Sequence, residues 1–383
     1  MKKIAIINQR YGKEVIGGSE YYTMLLANRL KKEYEVEILT SRSLTYDTWG
    51  NDYPNEEWID DIHVRRFDVE GKRHLFLRKI IRNLIIRLHW KGKKLEEIWL
   101  RVLGPYLPGL IKFLKEHASE YDRFIFVTYL YYPTVMGLPL VMERSVFIPT
   151  AHDEPYINLG VYKDLFTRSH AIGYLTQEEK EMVEHKFHNE AILNEVIGTG
   201  IEVPDSISSE QFFSKYKIQG KYLLYVGRIE PMKGCREMFD AFIEMRQQRE
   251  DLLLVVIGKD YMKIPESDGI RFLGTVSEKD KFAAMQGAAA LWLPSANESL
   301  SLVVLEAMAV GTPVLVNGQC LVLEGHCRKS QAGIAYHNAD EMKEGIENFF
   351  TKEHWEMRKN AKAYVQNNYT WEMVMKKLQR LLA

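Results

Sequence analysis

Cysteine is nearly missing from this chain: Cys235, Cys320 and Cys327 are the only three in 383 residues. So odd and sparse a set excludes a disulfide framework and fits a reducing compartment. Cys320 and Cys327, with His326 between them, match no zinc spacing, so ordinary half-buried thiols and no metal site are expected. Net charge is nearly missing too, at −1, which removes any global electrostatic case for nucleic acid and leaves only local basic surface. Low-complexity segments are absent. One long uncharged run, 124–142, is broken by Pro133, Gly137 and Pro139, so it predicts a buried strand over 124–128, then a loop and short helix. No transmembrane span is expected. The opening "MKKIAIINQ" reads as a first β-strand rather than a signal peptide, which predicts a cytoplasmic protein. The GxGxxG dinucleotide fingerprint is also absent, which weakens a dehydrogenase reading.

What is there is globular: 46% hydrophobic and 27% charged residues, in a chain long enough for two domains. Short apolar runs alternate with amphipathic stretches. "KKIAII" precedes "GGSEYYTMLLANRLKK", and "EVEILT", "DRFIFVTY" and "SVFIPTA" follow as strands. The pattern restarts at Lys221 with "KYLLYVGR", the helix "REMFDAFIEMRQQ", then "LLLVVIG", "IRFLG", "AALWLP" and "PVLV". Strands alternating with helices predict parallel sheets covered on both faces, here in two doubly wound α/β domains. The polar link is "TGIEVPDSIS", 199–208. Ligands of such sheets bind beyond the carboxyl ends of the strands, and two domains predict a site where those edges face each other.

The loops after strands carry the candidate chemistry. After strand one, Gly17 and Gly18 let a backbone approach closely and Ser19 is placed to cap the next helix, although a glycine pair alone is a plain turn. "VGRIEPMKG" puts Arg228 and Lys233 five apart, a fork and a point charge suited to a diphosphate; read alone they are two solvated cations. "PTAHDEP" sets His152 and Asp153 after a strand, as a proton shuttle or hydrogen-bond donor, or as a packed loop residue and a helix cap.

"PSANESLSLVVLEAMAVGTPV" is the sharpest feature. It predicts a strand end, a polar loop and a helix over 300–310, ended by Gly311 and Pro313. The helix start, with the amides of Ser299, Leu300 and Ser301, is an anion site. Glu298 and Glu306, eight helical residues apart at ~1.5 Å each, would be separated by about 12 Å. That exceeds the carboxylate spacing of either glycosidase class and suits two polyol groups flanking a diphosphate. A capped amphipathic helix accounts for Glu298 but not for Glu306, which sits among Val304, Leu305, Ala307 and Met308.

In this order "GGSE", "AHDEP", "GRIEPMKG" and "NESLSLVVLEAMAVGTPV" resemble the motif set of the GT-B glycosyltransferases of family GT4, a retaining, sugar-nucleotide-dependent group with an E-x7-E signature. The likeness covers essentially the whole chain. It implies two Rossmann-like domains facing a cleft: an acceptor-side domain of residues 1–200 plus 366–383, the latter a helix crossing back, and a donor domain of residues 201–365. It implies transfer of a hexose-type sugar from a nucleotide-sugar to a glycan or lipid-linked acceptor, in cell-surface polysaccharide or glycoconjugate synthesis. By the same resemblance Glu298 takes donor sugar hydroxyls, the amides of Ser299 and Leu300 take the diphosphate, and Glu306 takes the ribose. Arg228 and Lys233 neutralise the leaving β-phosphate, and His152 sits against the sugar. Gly17 and Gly18 border the diphosphate, Val276 in "FLGTV" contacts the nucleobase, and Glu20 and Asp153 are acceptor-side candidates. No cofactor or metal is implied, and no DxD motif is present. The implied mechanism is front-face displacement, the leaving phosphate taking the acceptor proton. "SLSL" after the first Glu departs from the small or glycine-containing stretch common in the family, which bears on the donor-sugar contacts.

Residues 72–101 hold ten Lys/Arg and two Glu, with Leu75, Ile80, Ile81, Leu84, Ile85 and Leu88 at helical spacing and Trp90 and Trp99 nearby. Two readings stand: a helix lying in an anionic membrane surface, which would make the protein peripheral on the inner face of the cytoplasmic membrane, or a solvated basic face over an apolar side packed on the sheet. Against the transferase stand a GT-B sugar-nucleotide epimerase or phosphorylase-like enzyme and a non-catalytic sugar-nucleotide-binding subunit; neither enzyme has a clear match here.

Overall fold

The computed structural model describes residues 1–383 except 16, 72–79, 82 and 86–91. The chain divides into two compact units, Met1–Thr199 with Val374–Ala383, and Gly200–Met373. The closing helix Trp371–Leu382 passes from the second unit to the first at Val374, not at 366. The preceding helix, Trp355–Asn368, packs on helices Leu302–Ala309 and Leu321–Ser330, which keeps it with the second unit. Within the first unit the tail is tied down by Lys377 Nζ donating to the Val196 carbonyl and by Arg123 donating to the carbonyls of Leu382 and Ala383.

The first sheet has eight strands: β1 (Lys3–Ile7), β2 (Glu35–Ser41), β3 (Glu56–Ile59), β4 (Ile62–Phe67), β5 (Arg123–Val127), β6 (Ser145–Ile148), β7 (Ala171–Tyr174) and β8 (Leu193–Val196), in the order β3-β4-β2-β1-β5-β6-β7-β8. The central strands β1, β5 and β6 are almost wholly buried, as strands covered by helices on both faces must be. One edge departs from the all-parallel expectation. β3 pairs antiparallel with β4 through a two-residue turn at Asp60 and Asp61, both with left-handed backbones, and this hairpin exposes Trp58. The second sheet runs β11-β10-β9-β12-β13-β14, all parallel, from β9 (Leu223–Val226), β10 (Leu254–Ile257), β11 (Ile270–Gly274), β12 (Ala290–Leu293), β13 (Val314–Asn317) and β14 (Gly333–Tyr336).

Each sheet has a switch point where the strand order reverses: between β1 and β5 in the first, and between β9 and β12 in the second. Loops leaving those strands splay apart from their helices and leave a crevice. The candidate motifs after β1 and after β9 and β12 fall at these two places.

Part of the basic stretch is described. Ile81, Ile85 and Trp99 join the first unit's core, and Trp99 stacks on Tyr156 at 4.7 Å while donating its indole N–H to the Tyr162 hydroxyl at 3.2 Å. These positions follow the reading of an apolar side packed on the sheet. Leu75, Leu88, Trp90 and the basic positions 78, 79, 82 and 87 lie outside the described residues. Among the described residues no helix is long and apolar enough to cross a membrane.

Candidate functional site

In the second unit the register pairs Ala290 with Leu223 and Leu291 with Leu224, so the loops after β12 and β9 leave the sheet side by side. Gly234, left-handed at φ 73°, lets them touch: a Cβ there would stand 2.5 Å from the Pro294 carbonyl oxygen. Across this contact Lys233 Nζ meets Glu298 Oε1 at 2.7 Å, both side chains partly exposed. Arg228 lies on the same loop, its guanidinium 3.1 Å from Glu230 Oε1. Its carbonyl is fixed from below by the Tyr225 hydroxyl at 2.7 Å and the Cys235 thiol at 3.8 Å. Lys233 and Glu298, 65 residues apart in sequence, thus meet at one loop junction.

The helix beyond Glu298 begins later than its sequence suggests. It spans Leu302–Ala309, because Ser301 is left-handed at φ 63° and Ser299 and Leu300 form a bend before it. The expected anion site at the amides of Ser299, Leu300 and Ser301 is therefore a turn rather than a helix end. The 12 Å estimate, built on eight helical residues, loses its premise. Contacts on this turn come from the helix Leu321–Ser330 and its N-cap Cys320, residues whose spacing fits no zinc site. His326 Nε2 meets the Leu300 carbonyl at 2.8 Å, and the Cys320 thiol lies 3.7 Å from the Glu298 carbonyl. His326 Nδ1 is taken up by the Tyr364 hydroxyl at 3.0 Å, so this ring is a strut. All three thiols are buried rather than half-buried.

Glu306 is buried and not alone. Its two oxygens lie 3.0 and 2.9 Å from Lys281 Nζ, a residue on the helix Glu278–Gly287 that follows β11. Val276, half-buried, stands just ahead of that helix, whose N-cap Ser277 accepts the Asp280 amide. Nothing in the spacing around Lys281 marks it; the packing of its helix on Leu302–Ala309 brings it to Glu306.

In the first unit the glycine pair splits into two different residues. A Cβ on Gly17 would fall 2.1 Å from a carboxylate oxygen of Glu20, whereas one on Gly18 meets nothing within 4 Å. Ser19 lies inside the helix Gly18–Leu30 and is no cap; its hydroxyl bonds Glu20 Oε2 at 2.8 Å. Glu20 itself is buried, its Oε1 taken by Arg10 Nε and Gln9 Nε2, each at 3.0 Å, so it braces the loop rather than facing an acceptor. Gly17→Ala is expected to push the Glu20 carboxylate off Arg10 and destabilise by about 1–3 kcal/mol, the usual cost of overpacking. Gly18→Ala is expected to leave the melting temperature unchanged or higher, since alanine is the better helix former. Equal melting temperatures for the two variants would contradict this assignment.

His152 follows β6 on a loop held from behind by Glu179. That buried carboxylate accepts the amides of Ala151 at 2.5 Å and Leu175 at 2.6 Å; burial pushes its pKa up to about 8 against the pull of those bonds. His152 Nε2 lies 3.6 Å from Glu154 Oε1, which also accepts the hydroxyl of the buried Tyr129. Asp153 points away, exposed, to Lys186 Nζ at 3.2 Å, and caps no helix. Glu154 and Glu179 drew no attention in sequence, since an acidic residue beside a helix start reads as a cap.

Residues 208–368 match the protein family described as glycosyl transferases group 1. A phosphatidyl-myo-inositol mannosyltransferase of Mycobacterium leprae is 36% identical over 129 residues, 32% of this chain and 34% of that protein. The chain thus matches about a third of that relative's length. An uncharacterized glycosyltransferase of Methanocaldococcus jannaschii is 25% identical over 410 residues, covering 98% of this chain and 96% of that one. Among solved structures, a sucrose-phosphate synthase from Thermosynechococcus elongatus superposes with a TM-score of 0.73 at 16% identity, over 100% of this chain and 99% of that one.

Proposed function

We propose that this chain, which has the GT-B fold and whose residues 208–368 match the glycosyl transferases group 1 family, transfers a sugar from a nucleotide-sugar donor to a glycan or lipid-linked acceptor. The observation that carries this reading is the Lys233–Glu298 pair at the β9/β12 switch point, with Arg228 on the same loop. A diphosphate needs fixed positive charge, and a sugar needs an ionised acceptor for its hydroxyls. The pair supplies both within one hydrogen bond. On donor binding Lys233 exchanges part of its bond with Glu298 for the β-phosphate, and Glu298 turns its freed lone pairs to the sugar. As the C1–O bond breaks, the electron pair goes to the phosphate oxygen, and Lys233 and Arg228 stabilise the charge that develops there.

With those two cations at the leaving group, this reading requires no metal. It also requires no protein nucleophile: the departing phosphate accepts the acceptor's proton, and the new bond forms on the face the phosphate leaves, retaining configuration. His152, with Glu154 beside it, is assigned to the sugar, and Val276 to the nucleobase. The test is a panel of GDP-, UDP- and dTDP-sugars, scored by slow hydrolysis without acceptor. Release of free sugar of one anomer from one donor supports the reading. Nucleotide binding with no turnover on any donor or acceptor would favour a non-catalytic subunit.

A further inference from the structure

Glu306 sits in the apolar helix Leu302–Ala309 with its neighbours Val304, Leu305, Ala307 and Met308 buried around it. Its side chain is 7% exposed. A carboxylate so placed loses its charge unless something holds it. Lys281 is that group: Nζ lies 3.0 Å from Oε1 and 2.9 Å from Oε2 of Glu306, and 2.9 Å from Glu278 Oε2. Three contacts match the three donors of an ammonium. A carboxylate has about four acceptor sites, and the ammonium occupies one on each oxygen. One site on each oxygen remains, at the separation of two vicinal hydroxyls.

We propose that Lys281 is a positioning residue of the nucleotide site: it fixes Glu306 in one orientation, as a charged acceptor whose remaining sites take the 2′- and 3′-hydroxyls of a ribose. This rests on the reading that Glu306 faces the nucleotide. Burial raises the Glu306 pKa, Lys281 opposes that rise, and Glu278 adds to it. Burial also works against the charge of Lys281, but the two carboxylates prevail and its pKa is raised. Both charged neighbours come from helix Glu278–Gly287. Helix Trp355–Asn368 also packs on Leu302–Ala309, but its Arg358 and Lys362 lie at the far end, beside Gly311. With Lys281 gone, the cation that opposes the effect of burial is lost. Glu306 then holds a proton more readily, and ribose recognition becomes pH-dependent.

The experiment titrates wild type, K281M and K281R with UDP, GDP and ADP, each against its 2′,3′-dideoxy analogue, at pH 6.5 and 8.5 by calorimetry. The wild type is expected to prefer the ribonucleotide equally at both pH values. K281M is expected to lose about tenfold of that preference at pH 6.5, the difference between a charged and a neutral acceptor, and to lose less of it at pH 8.5. K281R, which keeps the charge, retains the preference. Should K281M fail to fold by circular dichroism, K281Q carries the same expectation. A preference unchanged in K281M at pH 6.5, or an equal loss of affinity for a ribonucleotide and its dideoxy analogue at both pH values, would overturn the role of Lys281 alone. Binding of dTDP but of none of the three ribonucleotides to the wild type would overturn this inference alone, and binding of no nucleoside diphosphate at all would overturn the reading of the site with it.

Discussion

Lys233→Ala is expected to lower kcat/KM for the proposed sugar transfer by about 10²–10³-fold, the range for removing one preorganised donor from a developing negative charge. The expectation rests on where Lys233 is held. Its Nζ is 2.7 Å from Glu298 on a loop locked to its neighbour by the Gly234–Pro294 approach, so it is in place before any substrate arrives. Truncation acts twice, because it also leaves Glu298 as an uncompensated carboxylate beside the diphosphate. KM should therefore rise as well as kcat fall. Lys233→Arg should recover only part of the rate, since a planar fork cannot reproduce a point charge at that position. Steady-state kinetics on the preferred donor would check this; a loss below threefold would remove Lys233 from the leaving group.

Gly258→Ala has the largest expected effect on stability. Gly258 follows β10 with φ 141°, and a Cβ there would stand 1.8 Å from the Gly227 carbonyl oxygen, an atom of the backbone that cannot swing aside. That contact sits directly before Arg228. Beyond it the strand pairing continues into the loop, with Ile229 bonded to the Lys259 carbonyl and Tyr261 bonded back to Ile229, each at 3.0 Å. Alanine must force the two backbones apart, at a cost of about 3 kcal/mol or more from strain and overpacking together. For a unit of this size each kcal/mol lowers the melting temperature by about 2–4 °C, so a fall of roughly 6–12 °C is expected. Gly274→Ala is the control: its φ is 66° but its Cβ position is open, leaving only about 1–2 kcal/mol of backbone strain. Differential scanning calorimetry distinguishes the two, and equal shifts would contradict the close approach as the cause.

Much of this architecture was legible because burial on both faces leaves a plain mark. β1, β5, β9, β10 and β12 are near-continuous apolar runs, and the loops after β1, β9 and β12 carry candidate residues. The antiparallel β3 was not legible: "EEWI" carries two glutamates and an exposed tryptophan, and only its hairpin with β4 makes it a strand. Helix Leu302–Ala309 was placed two residues early, since no residue type announces that Ser301 adopts a left-handed backbone. In the site, Arg228, Lys233, Glu298 and Glu306 stood out by type and spacing. Their partners did not. Lys281, His326, Glu154 and Glu179 are ordinary residues on ordinary helices and loops, and tertiary packing alone gives them something to hold. Glu20 shows the converse, an acidic residue beside a glycine pair that the sequence offers as a ligand and the fold spends on Arg10.

The central claim is that the loops after β9 and β12 form the seat of a nucleoside diphosphate. The most direct test is calorimetric titration of wild type and Lys233→Ala with UDP, GDP, ADP and dTDP. One of the four is predicted to bind the wild type with a defined stoichiometry of one per chain, and to bind Lys233→Ala at least tenfold more weakly while the variant keeps its fold. Binding of equal strength to both proteins would place the nucleotide elsewhere and contradict the account.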